Sequence, residues 1–222
     1  MLLTKILKRG EYMLERLKQK LVEIAQKADK SGLCRHKSGN FSIRDSKTGF
    51  IVITPSGISR ETLETKHIVI VDIDGNVIEK KSNVKPSSEM KMHLKAYKVR
   101  KDIFGIAHTH SPYATAFAVQ AMEIKPVVFQ ALAYGGRVPV AKYQRPGTKE
   151  LADSIIKPLQ VSDACLLEKH GVLTVGKDLD DAYLKAHYVE DVAKIVIFAK
   201  VLGNGILPDE IPNEDFKAVI NP

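Results

Sequence analysis

Apolar residues near the start of the chain recur every three or four positions. Leu14, Leu17, Leu21, Ile24 and Ala28 form one stripe with Lys and Glu between them, which predicts an amphipathic helix over 11–30. Ser31-Gly32 stops it. The pattern then shortens to strand-like runs, Phe50-Ile51-Val52-Ile53 and His67-Ile68-Val69-Ile70-Val71, and Asp74-Gly75-Asn76 marks a hairpin-type turn into Val77-Ile78. Residues 88–99 return to a helical period, with Met90, Leu94 and Tyr97 on one side and Ser87 or Ser88 as the cap. Ile103 to His108 reads as a buried strand, followed by a helix over 112–121. Thr148 caps a helix carrying Leu151, Ile155 and Leu159. Ala164-Cys165-Leu166-Leu167 and Val172-Leu173-Thr174-Val175-Gly176 are two more strands. Asp178 or Asp180 caps a long helix to about residue 200, whose inner stripe is Ala182, Ala186, Val189, Ala193 and Val196. Strands neither alternate strictly with helices nor segregate from them. The pattern therefore predicts a mixed, mostly antiparallel sheet flanked by helices in a layered α/β or α+β domain.

No internal repeat and no Gly/Ser- or Pro-rich linker divides the 222 residues, so the expectation is one domain over 1–222. A hydrophobic share of 44% supplies a sizeable core. Uncharged apolar runs fall far short of the ~18–20 residues of a membrane span. Charge interrupts Met1 to Arg9 too often for a signal segment. Two cysteines, Cys34 and Cys165, cannot build a disulfide scaffold, and reduced thiols fit a cytoplasmic protein. Lys plus Arg number 34 against 26 Asp plus Glu, a net charge of +8. Contiguous basic runs are only pairs: Lys8-Arg9, Lys80-Lys81 and Arg100-Lys101. No basic block is interleaved with aromatics, as single-strand binders require. The charge thus favours small anionic ligands over nucleic acid.

Two of the seven histidines form a feature, Ala107-His108-Thr109-His110-Ser111, at the end of an apolar strand. In an extended chain, residues i and i+2 face the same side, so both imidazoles can converge on one ion; a structural pair is the alternative. His170, in Glu168-Lys169-His170-Gly171, adds a third imidazole, and Gly171 permits close backbone approach. Three histidines with one carboxylate or water make a catalytic zinc site. Glu89, in Pro86-Ser87-Ser88-Glu89, is the natural carboxylate, although at a helix start it also reads as a dipole partner. His36, His67, His93 and His187 lie on charged or helical stretches and read as surface or packing residues. A second feature is a set of small polar loops: Ser38-Gly39-Asn40-Phe41-Ser42, Thr54-Pro55-Ser56-Gly57 and Ser87-Ser88. Singly they are ordinary turns; together around a metal they would make a pocket for a phosphorylated substrate.

Gly39-Asn40-Phe41-Ser42, Thr54-Pro55-Ser56-Gly57, Pro86-Ser87-Ser88-Glu89, His108-Thr109-His110 and His170-Gly171, in that order, resemble class II aldolases of the fuculose-phosphate aldolase type. That superfamily also holds ribulose-phosphate 4-epimerases and the adducin head domain, and the likeness runs from about residue 12 to residue 200. The resemblance implies an αβα sandwich with a central, mainly antiparallel sheet, assembled as a ring-shaped homotetramer with active sites between subunits. It implies one zinc ion per subunit on His108, His110 and His170, with Glu89 a fourth ligand that leaves when substrate arrives. Gly39, Asn40, Ser56, Gly57, Ser87 and Ser88 would hold the phosphate. Tyr143, in Ala141-Lys142-Tyr143-Gln144-Arg145-Pro146-Gly147-Thr148, matches a tyrosine that reaches into the neighbouring subunit's site.

The implied reaction cleaves a ketose 1-phosphate of the L-fuculose 1-phosphate kind, through an enediolate, to dihydroxyacetone phosphate and an aldehyde of the L-lactaldehyde kind. Glu89 would serve as general acid/base, and Tyr143 would act at the aldehyde oxygen. The epimerases share the retro-aldol step but usually carry Asp in the position of Glu89. An adducin-like head without catalytic metal sits badly with the three histidines. Three departures stand out: Lys169 where the aldolases often have His or Asn, a tail over 201–222 with no tyrosine (Phe216 offers no hydroxyl), and an N-terminal extension over 1–10 outside the likeness.

Overall fold

β-branched and other apolar runs pair into one sheet. The computed structural model of the protein describes residues 2–81 and 83–220. Its strands are β1 (Asn40–Arg44), β2 (Ile51–Ile53), β3 (Val69–Val71), β4 (Val77–Glu79), β5 (Gly105–Thr109), β6 (Val140–Ala141), β7 (Ala164–Leu167) and β8 (Gly171–Gly176). Their order in space is β4-β3-β2-β1-β5-β8-β7-β6. Every neighbouring pair is antiparallel except β6 with β7.

The helices are α1 (Leu2–Lys30), α2 (Met90–Val99), α3 (Pro112–Val119), α4 (Lys149–Ser154), α5 (Ile156–Val161), α6 (Leu179–Leu202) and α7 (Asn213–Ile220). Strand residues alternate between two covered faces. Ile51, Ile53, Leu173 and Val175 pack with Met92, Leu94 and Tyr97 of α2 and with Leu151, Ile155 and Leu159. Val52, Ile70 and Ala107 face the other way, toward Leu21, Ile24 and Ala28 of α1 and Ala182 and Ala186 of α6. Ala164, Leu166 and Val172 pack with α3 and the later part of α6. Burial on both faces explains why these strands read as continuous apolar runs rather than alternating ones. The result is the expected helix–sheet–helix sandwich with a mixed, mainly antiparallel sheet.

Both expected stripes on the long helices are inward. Ala182, Ala186, Val189, Ala193 and Val196 are all buried. Of the two candidate caps of α6, the structure uses Asp178, whose Oδ1 accepts the Asp181 N–H at 2.8 Å. Thr148 Oγ1 accepts the Leu151 N–H at 3.2 Å as anticipated. The expected single helix after Thr148 is instead two, parted at Ile155. Pro158 has no N–H to return to the carbonyl of Ser154, so the ladder breaks there. Helix α2 begins at Met90, later than read, and Ser87 is no N-cap; its Oγ accepts the Glu89 N–H at 3.2 Å in a local turn. Residues 65–67 form a short 3-10 turn rather than the start of a strand. The described backbone carries α1 back to Leu2, so the extension over 1–10 continues that helix; Met1 lies outside the described residues. Among the described residues no helix is long and apolar enough to cross a membrane.

β5 starts at Gly105, hard against the N-terminus of α6. A Cβ there would lie 2.2 Å from the carbonyl carbon of Asp178. Gly105→Ala should therefore force strand and helix apart, lowering stability by about 1–3 kcal/mol or more. Urea unfolding checks this, and an unchanged midpoint would contradict the packing.

Candidate active site

The central strands carry the candidate ligands. β5 lies between β1 and β8, and His108 pairs across them with Asn40 and Leu173. His110 follows one residue beyond the end of β5, and its N–H donates to the Leu33 carbonyl at 3.1 Å. His170 sits in the turn joining β7 to β8, and Glu89 sits just ahead of α2. Chain segments far apart in sequence thus converge. One ligand atom from each of Glu89, His108, His110 and His170 lies within 4.8 Å of all the others. His108 Nε2 is 3.0 Å from His110 Nε2 and 3.1 Å from Glu89 Oε2, and His170 Nε2 is 3.3 Å from Glu89 Oε1. The three rings stand nearly edge-on, with centroids 4.8–5.0 Å apart.

Hydrogen bonding fixes which nitrogen of His108 faces the cluster. Its Nδ1 is 2.8 Å from the Val172 carbonyl oxygen, which can only accept. Nδ1 therefore carries a hydrogen, and Nε2 alone titrates. Burial pushes the His108 pKa down, but Glu89 and the Val172 carbonyl outweigh it and raise it. Burial, then the neighbouring His108, takes His110 down to about 3 and His170 to about 4. Burial opposes charge on Glu89 too, yet His108, His170 and the Asn40 amide hold its carboxyl well below the ordinary range. The centre is thus an anionic carboxylate facing imidazole nitrogens, a place built for a cation. Glu89 Oε1 and His170 Nδ1 are buried without a hydrogen-bond partner. Imidazole nitrogens with a carboxylate oxygen are a donor set that suits zinc, and this orphaned oxygen fits a metal ligand.

Glycine and backbone strain shape this centre. A Cβ on Gly171 would lie 2.4 Å from the Thr109 carbonyl oxygen and 3.1 Å from the His110 ring. Lys169 occupies the left-handed region, φ 57°, at the tip of the turn that presents His170. Asn tolerates that region better than Lys, so Lys169 holds a backbone conformation that its residue type does not favour.

The polar loops lie side by side. The Ser56 N–H donates to the Lys85 carbonyl and the Ser87 N–H to the Thr54 carbonyl, each at 3.0 Å, zipping 54–56 to 85–87. Thr54 Oγ1 accepts the Phe41 N–H at 3.0 Å, which adds the start of β1. Arg60, almost fully buried, donates to the carbonyls of Gly39, Ile58 and Lys37 and so ties the first loop to the second. Ser56, Gly57 and Ser88 are exposed, whereas Ser87 and Asn40 are buried. Gly39 (φ 71°) has a reason of its own: a Cβ would lie 2.7 Å from the His108 carbonyl oxygen. Asn40 points to the metal-type cluster, donating from Nδ2 to Glu89 Oε2 at 2.9 Å.

Tyr143 is not brought into the four-residue cluster. It is 52% exposed, its N–H donates to Glu168 Oε2 at 3.0 Å, and Lys169 Nζ lies 5.8 Å from its ring centre. Its segment nonetheless borders the serine loop, because Gly147 packs on the Ser88 carbonyl. Of the four histidines set aside, His36 is exposed, and His67 and His187 are half-buried. His93 takes the packing alternative of its reading: it is fully buried, and it hydrogen-bonds to Asn40 and Ser42. Its one sequence signal is its place one helical turn after Glu89. Arg60 was likewise unmarked by any motif.

Gly171→Ala should displace the His170 turn from Thr109. We expect destabilisation of about 1–3 kcal/mol together with weakened metal binding. Thermal unfolding with and without added Zn²⁺ reads both, and a variant matching wild type in each would overturn the close-approach argument.

The family model for the class II aldolase and adducin N-terminal domain matches residues 19–197. The chain is 35% identical, over 203 residues, to the 5-deoxy-D-ribulose 1-phosphate aldolase of Bacillus thuringiensis serovar kurstaki; this covers 90% of the chain and 94% of that relative. It is 30% identical over 218 residues to the L-ribulose-5-phosphate 4-epimerase of Salmonella typhi, covering 91% and 94%. A solved structure of L-fuculose 1-phosphate aldolase superposes with a TM-score of 0.86 at 35% identity, covering 91% of this chain and 93% of that one.

Proposed function

We propose a reaction on one premise: this chain belongs to the class II aldolase and adducin family and is an aldolase of the class II type. The substrate is a ketose 1-phosphate of the L-fuculose 1-phosphate kind, and the products are dihydroxyacetone phosphate and a short aldehyde of the L-lactaldehyde kind. The observation that carries this reading is the convergence of Glu89, His108, His110 and His170 beside three zipped polar loops. We take the protein to be a cytoplasmic homotetramer of one-domain subunits, each holding one zinc ion.

His108, His110, His170 and Glu89 would hold the zinc, whose Lewis acidity stabilises the negative charge that develops when the carbon–carbon bond breaks. The remaining work falls to the chain itself. The hydroxyls of Ser56, Ser87 and Ser88, with backbone N–H groups at Gly39 and Gly57 and the second amide hydrogen of Asn40, hold the phosphate and supply binding energy remote from the breaking bond. The Asn40 side chain serves the carboxylate end of the same pocket. Glu89 carries a proton to or from the carbon released by cleavage, its carboxylate adjoining the ligand nitrogens. The exposed Tyr143 suits a role at the aldehyde oxygen across a subunit boundary.

Epimerisation at C4 of a phosphopentulose is the second reading, favoured by the likeness to the Salmonella typhi epimerase. Incubation with L-fuculose 1-phosphate, 5-deoxyribulose 1-phosphate and L-ribulose 5-phosphate separates the two. We expect dihydroxyacetone phosphate from a ketose 1-phosphate; a C4 epimer with no triose phosphate would replace the first reading by the second. Glu89→Gln should lower kcat by about 10²–10⁴-fold, the scale of general acid–base catalysis, while bound zinc persists on three imidazoles. Full activity in that variant would refute the role of Glu89.

A further inference from the structure

Glu89 is held from behind by a buried chain of polar side chains. Asn40 Nδ2 is 2.9 Å from Glu89 Oε2, and Asn40 Oδ1 is 2.6 Å from His93 Nε2. His93 Nδ1 is 2.7 Å from Ser42 Oγ, which is 2.9 Å from the Tyr97 hydroxyl. Ser42, His93 and Tyr97 are fully buried, and Asn40 and Glu89 nearly so. Two elements interlock to make this chain. Asn40 and Ser42 share one face of β1 at i and i+2. Glu89 and His93 share one face at i and i+4, at the start and first turn of α2.

One set of hydrogen positions satisfies every contact from Glu89 to Ser42. A carboxylate accepts, so Asn40 must turn its amide N–H toward Glu89; the opposite turn would set two oxygens face to face. Asn40 Oδ1 then faces His93 and can only accept, so His93 carries its hydrogen on Nε2. His93 Nδ1 is left bare and accepts from Ser42, whose oxygen accepts from Tyr97. Burial takes the His93 pKa down to about 3, which keeps the ring neutral.

We propose that His93, oriented by Ser42, fixes the Asn40 amide with its N–H permanently toward Glu89, and is thereby a positioning residue for the catalytic carboxylate. The inference rests on Glu89 being the acid/base of the site. It also gives the Asn40 side chain a duty at the carboxylate, with both of its polar atoms engaged before any phosphate arrives.

Two measurements test this without turnover. Long-range proton–nitrogen NMR of metal-free wild type should show His93 neutral and protonated at Nε2; protonation at Nδ1 instead overturns the proposal. Competition with a chromophoric chelator should show zinc affinity falling about 10–100-fold in His93→Leu, the usual cost of losing support behind a ligand. His93→Gln, which keeps a side-chain N–H, should recover most of it. In the assay, His93→Leu should lower kcat while leaving KM for the ketose phosphate within about threefold. Unchanged zinc affinity and kcat in a folded His93→Leu overturns the proposal. Should that variant not fold, the wild-type tautomer decides alone. An Nε2–H tautomer and zinc loss in a protein that cleaves no ketose phosphate would sink the reaction assignment and leave the positioning role standing.

Discussion

The antiparallel ladder between β5 and its two neighbours governs the rest of the molecule. His108 lies opposite Asn40 on one side and Leu173 on the other. Strand side chains alternate with a period of two, so a slip of one residue in either pairing would turn His108 away from Glu89 and bring Ala107 or Thr109 into its place. With apolar residues on both faces of β2, β7 and β8, the fit of side-chain shapes in the two cores, rather than polarity, opposes such a slip.

A buried polar centre costs free energy unless its groups satisfy one another. Here several of them do. The His108 Nδ1–H meets Val172, Asn40 meets both Glu89 and His93, and Thr54 serves the β1 backbone. Arg60 gathers three loop carbonyls without a carboxylate partner among the described residues. At the far end of the sheet, Asp163 receives both Lys185 and Arg100, at 2.9 and 2.8 Å, and fastens α6 to the loop before β7. Among the buried atoms left without a partner, Glu89 Oε1 lies where ligand chemistry is expected.

Features with a local cause were legible in the chain. The stripes of α1 and α6, the Thr148 and Asp178 caps and the His108/His110 pair each follow from spacing within one element. β1 was hidden because Asn40 and Ser42 made its alternation look like a polar loop, although Phe41 and Ile43 are core residues. β6 and the residue 129–134 turn are set by tertiary pairing and carry no period of their own. His93 was hidden for a related reason: its partners lie on another element, more than forty positions away in the chain. Lys169 is the reverse case. It departs from the expected residue type, and only the structure reveals that this position has a left-handed backbone.

The four converging ligands come from the approach to α2, the end of β5 and the turn before β8. None of these segments can present more than two of them alone. The grip on a cation therefore exists only once β1, β5 and β8 have paired, and an unfolded or half-formed chain has nothing comparable to offer. By linkage, a ligand confined to the native state stabilises it by about 2.7 kcal/mol at a hundred times its dissociation constant. A bound ion would thus stabilise the whole sheet, and not only serve its chemistry.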